Sequence, residues 1–127
     1  MDPHPSPTPS GRLLVGTSGY AYAEWTEAGF YPPGTRSGHM LAHYAQRFPV
    51  TELNFTWYQM PRAEAMERMQ AQAPEEFRFA AKLTRTLTHE VDPDGWRDQA
   101  DRYRDGVAPL IQAGRLLAVL VQLPPSF

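Results

Sequence analysis

Four short strand-like segments alternate along the chain with three segments of helical periodicity. The strand-like segments, rich in apolar and β-branched residues, are 12–16, 50–58, 77–83 and 116–122. The segments in which apolar residues recur every three or four positions are 35–48, 62–73 and 94–113. Pro109 predicts a kink or a break near Val107 in the last of these helices, and Gly114 is expected to end it. The alternation predicts an α/β fold in which parallel strands are joined by right-handed crossovers.

The last strand-like segment is apolar on both faces from residue 116 to residue 121. This pattern is typical of parallel strands that lie between two layers of helices. Such a strand needs a neighbour at each edge and a helix that packs over it, yet the sequence ends at Phe127. We therefore expect residues 12–127 to form the front half of a larger α/β domain, truncated to roughly four βα units. Its exposed sheet edges would favour self-association.

Polar residues occupy one face of the second strand-like segment. Glu52, Asn54 and Thr56 alternate there with apolar residues, as inward-facing residues of a barrel do near its mouth. The polar side chains that we expect near the carboxyl ends of the four strands are Thr17, Ser18, Asn54, Thr56, Lys82, His89 and Gln122. Barrels build their sites at this edge, and so do open sheets. The sequence thus predicts where a site lies and leaves the barrel and the open sheet as alternatives.

Several short motifs occur in a fixed order along the chain. They are 16–20 followed by Trp25, 30–32, 52–58, 77–79 with Lys82, 88–89, and 122–127. Together they resemble the YecE-like family, domain of unknown function 72, which adopts a TIM-barrel-type fold. Tyr20, Phe55 and Trp57 differ from the Trp, Ser and Phe that are usual in this family. Because family members have about the length of a TIM barrel, roughly 250 residues, the resemblance implies that residues 12–127 are the N-terminal half of such a domain. It implies no established reaction.

The candidates for catalysis are Glu52, Lys82 and His89. An ionised carboxylate inside a barrel is costly unless it is paired or used, so Glu52 is predicted either to transfer protons or to pair with Lys82. Lys82 is alternatively an electrophile or a Schiff-base amine. His89 follows the third strand and is a candidate general base. Glu90 is the one further metal-ligating residue beside His89. Because catalytic zinc usually has three protein ligands, we predict no metal site there. The cofactor, if one is used, is unknown.

The candidates for ligand binding are Thr17, Ser18, Tyr20, Trp25, Asn54, Thr56 and Gln122. The glycine-containing segment 16–19 is either a tight turn or a cradle of backbone amides for an anion. It lacks the glycine spacing and the lysine of the common nucleotide-binding motifs. Among the aromatic residues that follow, we expect Tyr20 and Trp25 to line a pocket and Phe30 to plug the mouth of the barrel.

The composition is that of a soluble globular protein, with 42% hydrophobic and 20% charged residues. Twelve basic and fourteen acidic residues give a formal charge of −2, which predicts neither nucleic acid nor a membrane as a partner. The longest apolar run, 116–121, is far short of the roughly 20 residues that span a bilayer. The sequence has no cysteine, which agrees with a cytoplasmic location. The proline-rich residues 1–11 are expected to be a disordered tail, with a docking peptide as the alternative.

These observations favour an enzyme of unassigned reaction. A hydrolase or lyase would act on a small anionic or sugar-like substrate at the carboxyl edge of the strands, with Glu52 or His89 transferring protons. The alternatives are a non-catalytic module that binds a small ligand or a protein, and a truncated fragment that is inactive alone. A ligand that raises the melting temperature without being consumed would favour the binding module.

Overall fold

The structure, a computed structural model, describes residues 11–127. The predicted tail therefore lies outside the described residues, apart from Gly11. In chain order the elements are β1 (Gly16–Ser18), α1 (Glu24–Glu27), α2 (Ser37–Tyr44), β2 (Val50–Leu53), α3 (Phe55–Tyr58), α4 (Ala63–Gln70), β3 (Arg78–Lys82), a 3-10 turn (Arg85–Leu87), α5 (Trp96–Gln112) and β4 (Leu116–Leu120). No helix in this part of the chain is long and apolar enough to cross a membrane.

The four strands form one parallel sheet in the order β1-β2-β3-β4. This confirms the predicted α/β class, because helices connect consecutive parallel strands. The register places Ser18 beside Glu52, Glu52 beside Ala80, and Ala80 beside Ala118. These four residues therefore lie in one row across the sheet, on the same face.

The opposite face of the sheet packs against the helices and carries the core. The buried hydrophobic residues are Tyr31, Met40, Leu41, Tyr44, Leu53, Met66, Met69, Phe77, Phe79, Ala81, Tyr103, Val107 and Leu110. On β3, Phe79 and Ala81 are buried, whereas Arg78, Ala80 and Lys82 are only partly so. Burial therefore alternates along this strand, which assigns Ala80 and Lys82 to the face that also holds Glu52.

The second strand is shorter than predicted. β2 ends at Leu53, and Phe55–Tyr58 form the single helical turn α3. Thr56 therefore leaves the sheet and is fully buried. Its Oγ1 lies 2.6 Å from the carbonyl oxygen of Lys82 and 3.1 Å from that of Leu53, so the one hydroxyl hydrogen is donated to Lys82 or shared between the two. The prediction that Thr56 shares the polar strand face is wrong, because alternation between faces stops where the strand stops.

The three predicted amphipathic helices are confirmed, with shorter bounds, as α2, α4 and α5. Of the predicted kink or break near Val107, the break is not found, because α5 continues through Pro109 to Gln112. Proline leaves the carbonyl of Asp105 without its helical donor. Asp105 lies on the exposed side of α5, where water can hydrate that carbonyl. Gly114, with a φ of 68°, ends the helix as predicted.

Arg115, at the entrance to β4, is a buried cation surrounded by carbonyl oxygens. Its Nε donates to the carbonyl of Phe77 at 3.0 Å, Nη1 to that of Gln70 at 2.9 Å, and Nη2 to that of Pro74 at 2.6 Å. Burial lowers the pKa of the guanidinium, and the charge of Arg78 adds to this effect. The hydrogen bonds join the start of β4 to the end of α4 and to the segment before β3.

Two strands lie at the edges of the sheet. β1 begins at Gly16, later than the predicted segment 12–16, and within the described residues it pairs with β2 alone. β4 pairs with β3, and in the described part of the chain nothing pairs with its other edge. Residues 117–120 are exposed, so the predicted burial of this strand is not found in residues 11–127.

Candidate functional site

Three polar side chains meet where β1 and β2 end. The Oγ of Ser18 lies 2.9 Å from Oε1 of Glu52, 2.8 Å from Nδ2 of Asn54 and 3.1 Å from Oδ1 of Asn54. Its one hydroxyl hydrogen can be donated to the Glu52 carboxylate while the oxygen accepts from the Asn54 amide. The register that sets Ser18 beside Glu52 brings these groups together, as the sequence predicted for the carboxyl ends of the strands.

Two glycines shape the backbone at this point. A Cβ on Gly16 would lie 1.9 Å from the carbonyl oxygen of Val50, so only glycine allows this approach between β1 and β2. Gly19 has a φ of 82°, and its N–H donates to the carbonyl of Glu52 at 2.8 Å. Segment 16–19 is therefore the end of a strand followed by a tight turn. Because the Gly19 amide already has an acceptor, it is not free to bind an anion.

A pocket of about 190 Å³ opens beside this polar cluster. Its lining comes from the turn after β1 and from the end of β2: Gly19, Tyr20, Ala21, Tyr22, Glu52, Leu53, Asn54 and Phe55. The sequence predicted Tyr20, Glu52 and Asn54 at such a pocket, offered Tyr22 only as one of several aromatic residues that either line it or plug the mouth, and missed Phe55. Tyr22 and Phe55 are aromatic side chains that stay exposed next to a strand end, and an aromatic residue directly after a strand is the signal that could have identified Phe55.

The aromatic residues after β1 form two layers. Tyr20 belongs to the layer that lines the pocket, and burial raises the pKa of its hydroxyl. Trp25 lies in the layer behind the pocket, where its ring stacks on Tyr44 with centroids 6.3 Å apart. Trp25 also contacts Tyr22, at a centroid distance of 4.9 Å. The structure thus places Tyr20 at the pocket and Trp25 outside its lining, as support for Tyr22.

Thr17 faces the core, away from the pocket. Its backbone N–H donates to the hydroxyl of Tyr44 at 2.8 Å, and its Oγ1 lies 2.8 Å from the same oxygen. Adjacent residues of a strand point to opposite faces, so Ser18 reaches the polar cluster and Thr17 does not. Like Thr56, this predicted ligand-binding hydroxyl is used inside the fold.

Lys82 lies on the same face of the sheet as Glu52, at the end of β3. Its side chain is half-buried, and its carbonyl accepts hydrogen bonds from Thr56 and, at 3.0 Å, from the hydroxyl of Tyr103. The predicted ion pair between Glu52 and Lys82 is absent from the salt bridges of residues 11–127. Glu52 instead has the hydroxyl of Ser18 as its partner.

His89 and Gln122 lie outside the lining of the pocket. His89 follows the 3-10 turn, with Nδ1 2.8 Å from Oγ1 of Thr88 and its ring edge-on to Trp57 at 5.1 Å. Gln122 is exposed, beyond the end of β4. Among the described residues, no group of three or more His, Cys, Asp and Glu side chains is arranged to hold a metal ion.

Comparison with known proteins identifies the family. The family described as "Protein of unknown function DUF72" matches residues 14–127. The chain belongs to the DUF72 family. UPF0759 protein YunF of Bacillus subtilis is 31% identical to it over 101 residues, which are 76% of this chain and 36% of YunF. UPF0759 protein YecE of Escherichia coli K12 is 26% identical over 115 residues, which are 91% of this chain and 39% of YecE. The resemblance to the YecE-like family is thereby confirmed.

Solved DUF72 structures show the same chain path. A DUF72 family protein from Thermotoga maritima is 30% identical, with a TM-score of 0.74 over 90% of this chain and 45% of that protein. One from Enterococcus faecalis, 22% identical, has a TM-score of 0.73 over 90% of this chain and 40% of that protein. These neighbours have a TIM-barrel-like fold, of which the four-stranded sheet is a part. The chain spans about two fifths of the length of these relatives, and the curated relatives have no established function.

Proposed function

We propose that the pocket beside Ser18, Glu52 and Asn54 binds a small sugar-like molecule and that Glu52 transfers protons to or from it. The observation that carries the proposal is the hydrogen-bonded carboxylate at the mouth of a pocket of about 190 Å³. Carboxylate and amide groups pair with neighbouring hydroxyls, and the aromatic walls offer apolar surface to the C–H faces of a sugar ring.

Charge separates the two substrate classes that the sequence left open. Glu52 contributes a negative charge to the lining, and none of the eight described lining residues is Lys or Arg. An anionic substrate would be repelled by this carboxylate without a cation to compensate, whereas a neutral polyhydroxylated molecule would not. The lining therefore favours the sugar-like class over the anionic class.

The three polar residues have different roles in this proposal. Glu52 is the general acid or base, because it is the one titratable carboxylate in the lining. Ser18 is a positioning residue that orients the carboxylate through its 2.9 Å hydrogen bond. Asn54 accepts or donates a hydrogen bond to the ligand with the amide atom that Ser18 does not use.

Lys82, His89 and Gln122 remain proposed contributors to the activity of the whole protein. Lys82 shares the sheet face of Glu52, and the other two lie beyond the carboxyl ends of β3 and β4. Barrel enzymes collect catalytic groups from this edge. The proposal places the activity in the cytoplasm, which agrees with a sequence that has no cysteine and so needs no oxidising compartment.

A ligand panel tests the proposal on this chain. Neutral monosaccharides and their phosphorylated counterparts are added separately, and the melting temperature is followed for the wild-type chain and for Glu52→Gln. We expect at least one neutral sugar to raise the melting temperature of the wild type more than its phosphate does, and Glu52→Gln to lose this shift. A larger shift with the phosphorylated sugars would refute the sugar-like class.

Turnover separates an enzyme from a binding module. Proton NMR of the bound sugar over time shows consumption if Glu52 acts as acid or base, and Glu52→Gln should abolish it. A sugar that stabilises the wild type and stays intact in a full-length relative as well would establish the non-catalytic alternative. Glu90→Gln, on an exposed residue outside the pocket, is the matched control for the loss of one charge.

A further inference from the structure

We propose that Tyr22 is a positioning residue for Glu52 and that it acts through Ser18. Its hydroxyl donates a hydrogen bond to the carbonyl of Ser18, while its ring lines the pocket. The expected effect on the ligand rests on the proposed function. The expected effect on the polar cluster does not, because the side chains of Ser18, Glu52 and Asn54 are hydrogen-bonded to one another without a ligand.

The backbone on both sides of Ser18 is held by hydrogen bonds. The N–H of Thr17 donates to the hydroxyl of Tyr44 at 2.8 Å. The N–H of Gly19 donates to the carbonyl of Glu52, also at 2.8 Å. The Oγ of a serine is placed by a single side-chain torsion, which prefers staggered values, so its position follows closely from that of the backbone. The carbonyl of Ser18 lies between these two bonds, and the group that holds this carbonyl helps to set where Oγ lies.

The hydroxyl of Tyr22 is the group that holds the Ser18 carbonyl. It fills the space beside the turn, because a Cβ on Gly19 would lie 2.5 Å from the hydroxyl oxygen. The ring of Tyr22 packs on Trp25, with centroids 4.9 Å apart, and Trp25 stacks in turn on the fully buried Tyr44. The hydroxyl therefore reaches Ser18 from a ring that the core supports.

Ser18 connects this support to the carboxylate. Its Oγ lies 2.9 Å from Oε1 of Glu52 and 2.8 Å from Nδ2 of Asn54. Among the side-chain hydrogen bonds within residues 11–127, the Glu52 carboxylate takes part in this one alone. A carboxylate with one hydrogen bond depends on that bond for its orientation. Loss of the Tyr22 hydroxyl should therefore loosen Ser18 and, through it, both Glu52 and Asn54.

Tyr31 provides the matched control. Its hydroxyl also donates to a backbone carbonyl of the same turn, that of Tyr20, but Tyr31 is fully buried and is not part of the pocket lining. Tyr22→Phe and Tyr31→Phe each keep a ring and remove one such hydrogen bond. Only the bond from Tyr22 ends on Ser18, so only its loss should change the polar cluster, whereas either loss can lower the melting temperature.

NMR of the Asn54 side-chain amide tests the proposal without a ligand. Because Nδ2 donates to the Oγ of Ser18, Ser18→Ala should shift the amide proton resonances and speed their exchange with water. We expect Tyr22→Phe to move the same resonances in the same direction, although Ser18 and Asn54 are unchanged, and Tyr31→Phe to leave them in place. Resonances that stay in place in Tyr22→Phe, or that move as far in Tyr31→Phe, would overturn the proposal. If Tyr31→Phe does not fold by circular dichroism, Tyr58→Phe, at an exposed side chain, replaces it as the control.

A double-mutant cycle on sugar affinity tests the path through Ser18. Tyr22→Phe should weaken the affinity for a bound neutral sugar by up to about tenfold. In the Ser18→Ala background the same substitution should change the affinity by less than about twofold, because the hydroxyl that Tyr22 positions is already gone. Equal losses in both backgrounds would mean that Tyr22 acts on the ligand directly, which would also overturn the proposal. If no sugar binds, the proposed function fails, and the Asn54 resonances alone decide the role of Tyr22.

Discussion

Gly106 of α5 lies directly against the backbone of Pro61, so close that a Cβ on Gly106 would be 2.1 Å from the Pro61 carbonyl oxygen. Gly106→Ala would improve helix propensity, by up to about 1 kcal/mol. The clash with backbone is expected to dominate, and the free energy of unfolding should fall by about 1–3 kcal/mol in urea denaturation.

Gly38 is the matched control for this prediction. It lies in α2, and a Cβ there would meet nothing within 4 Å. Gly38→Ala should therefore leave stability unchanged or raise it by up to about 1 kcal/mol. Equal effects of the two substitutions would contradict the close packing of α5 on Pro61.

Ser18→Ala should weaken ligand binding while sparing the fold. The hydroxyl bonds to Glu52 and Asn54 but is exposed, so its loss should change unfolding free energy by less than about 0.5 kcal/mol. Loss of one hydrogen bond that orients a carboxylate should weaken the affinity for the bound sugar about tenfold. Titration calorimetry measures this, with Ser126→Ala as the control, and undiminished affinity would remove Ser18 from the site.

The hydroxyl of Tyr44 is expected to matter for stability. It accepts from the Thr17 N–H at 2.8 Å and donates to the carbonyl of Val50 at 3.1 Å, in a fully buried position. Tyr44→Phe leaves the Thr17 amide without an acceptor and should cost about 1–3 kcal/mol in urea denaturation. Tyr58→Phe, at a side chain that is 68% exposed, should have no measurable effect.

Stability should fall at alkaline pH through Tyr103. Burial raises the pKa of this tyrosine to about 12 from an ordinary value of 10.0, with a hydrogen bond from Thr56 acting in the opposite direction. Because the pKa of Tyr103 is higher in the folded state than in the unfolded state, its protonated hydroxyl stabilises the fold. This stabilisation is complete below about pH 10 and is lost as the pH rises toward about 12. The melting temperature of Tyr103→Phe should therefore decrease less over this range than that of the wild type, and parallel decreases would contradict the assignment.

The order of strands and helices could be predicted because burial follows periodicity. On β3 the buried residues alternate, as a strand-like segment requires, and on α4 the buried residues Met66 and Met69 lie three positions apart, in agreement with the helical periodicity of 62–73. The turn α3 could not be predicted in this way. Phe55 and Trp57 favour strands by type, and the short hydrogen bond that Thr56 makes from this turn goes to Lys82, 26 residues away in sequence.

The polar cluster of Ser18, Glu52 and Asn54 could also be predicted in part. Ser18 and Glu52 end neighbouring parallel strands, so the topology alone brings them together. Thr17 was predicted to bind a ligand together with Ser18. Because both residues lie in β1, they point to opposite faces of the sheet, and only Ser18 faces the pocket. Tyr22 and Phe55 depend on the path of the turns after the strands, which periodicity does not describe.

The guanidinium of Arg115 also bears on how β4 meets another strand. By donating to the carbonyl oxygens of Phe77, Gln70, Ala73 and Pro74, it holds the residue before the strand against the end of α4 and the segment before β3. A strand that paired with the outer edge of β4 would therefore meet a segment whose start is already ordered. Part of the conformational entropy of that segment is lost when the chain folds and is not lost again on pairing. Arg115 thus orders the start of β4 independently of any further strand at its edge.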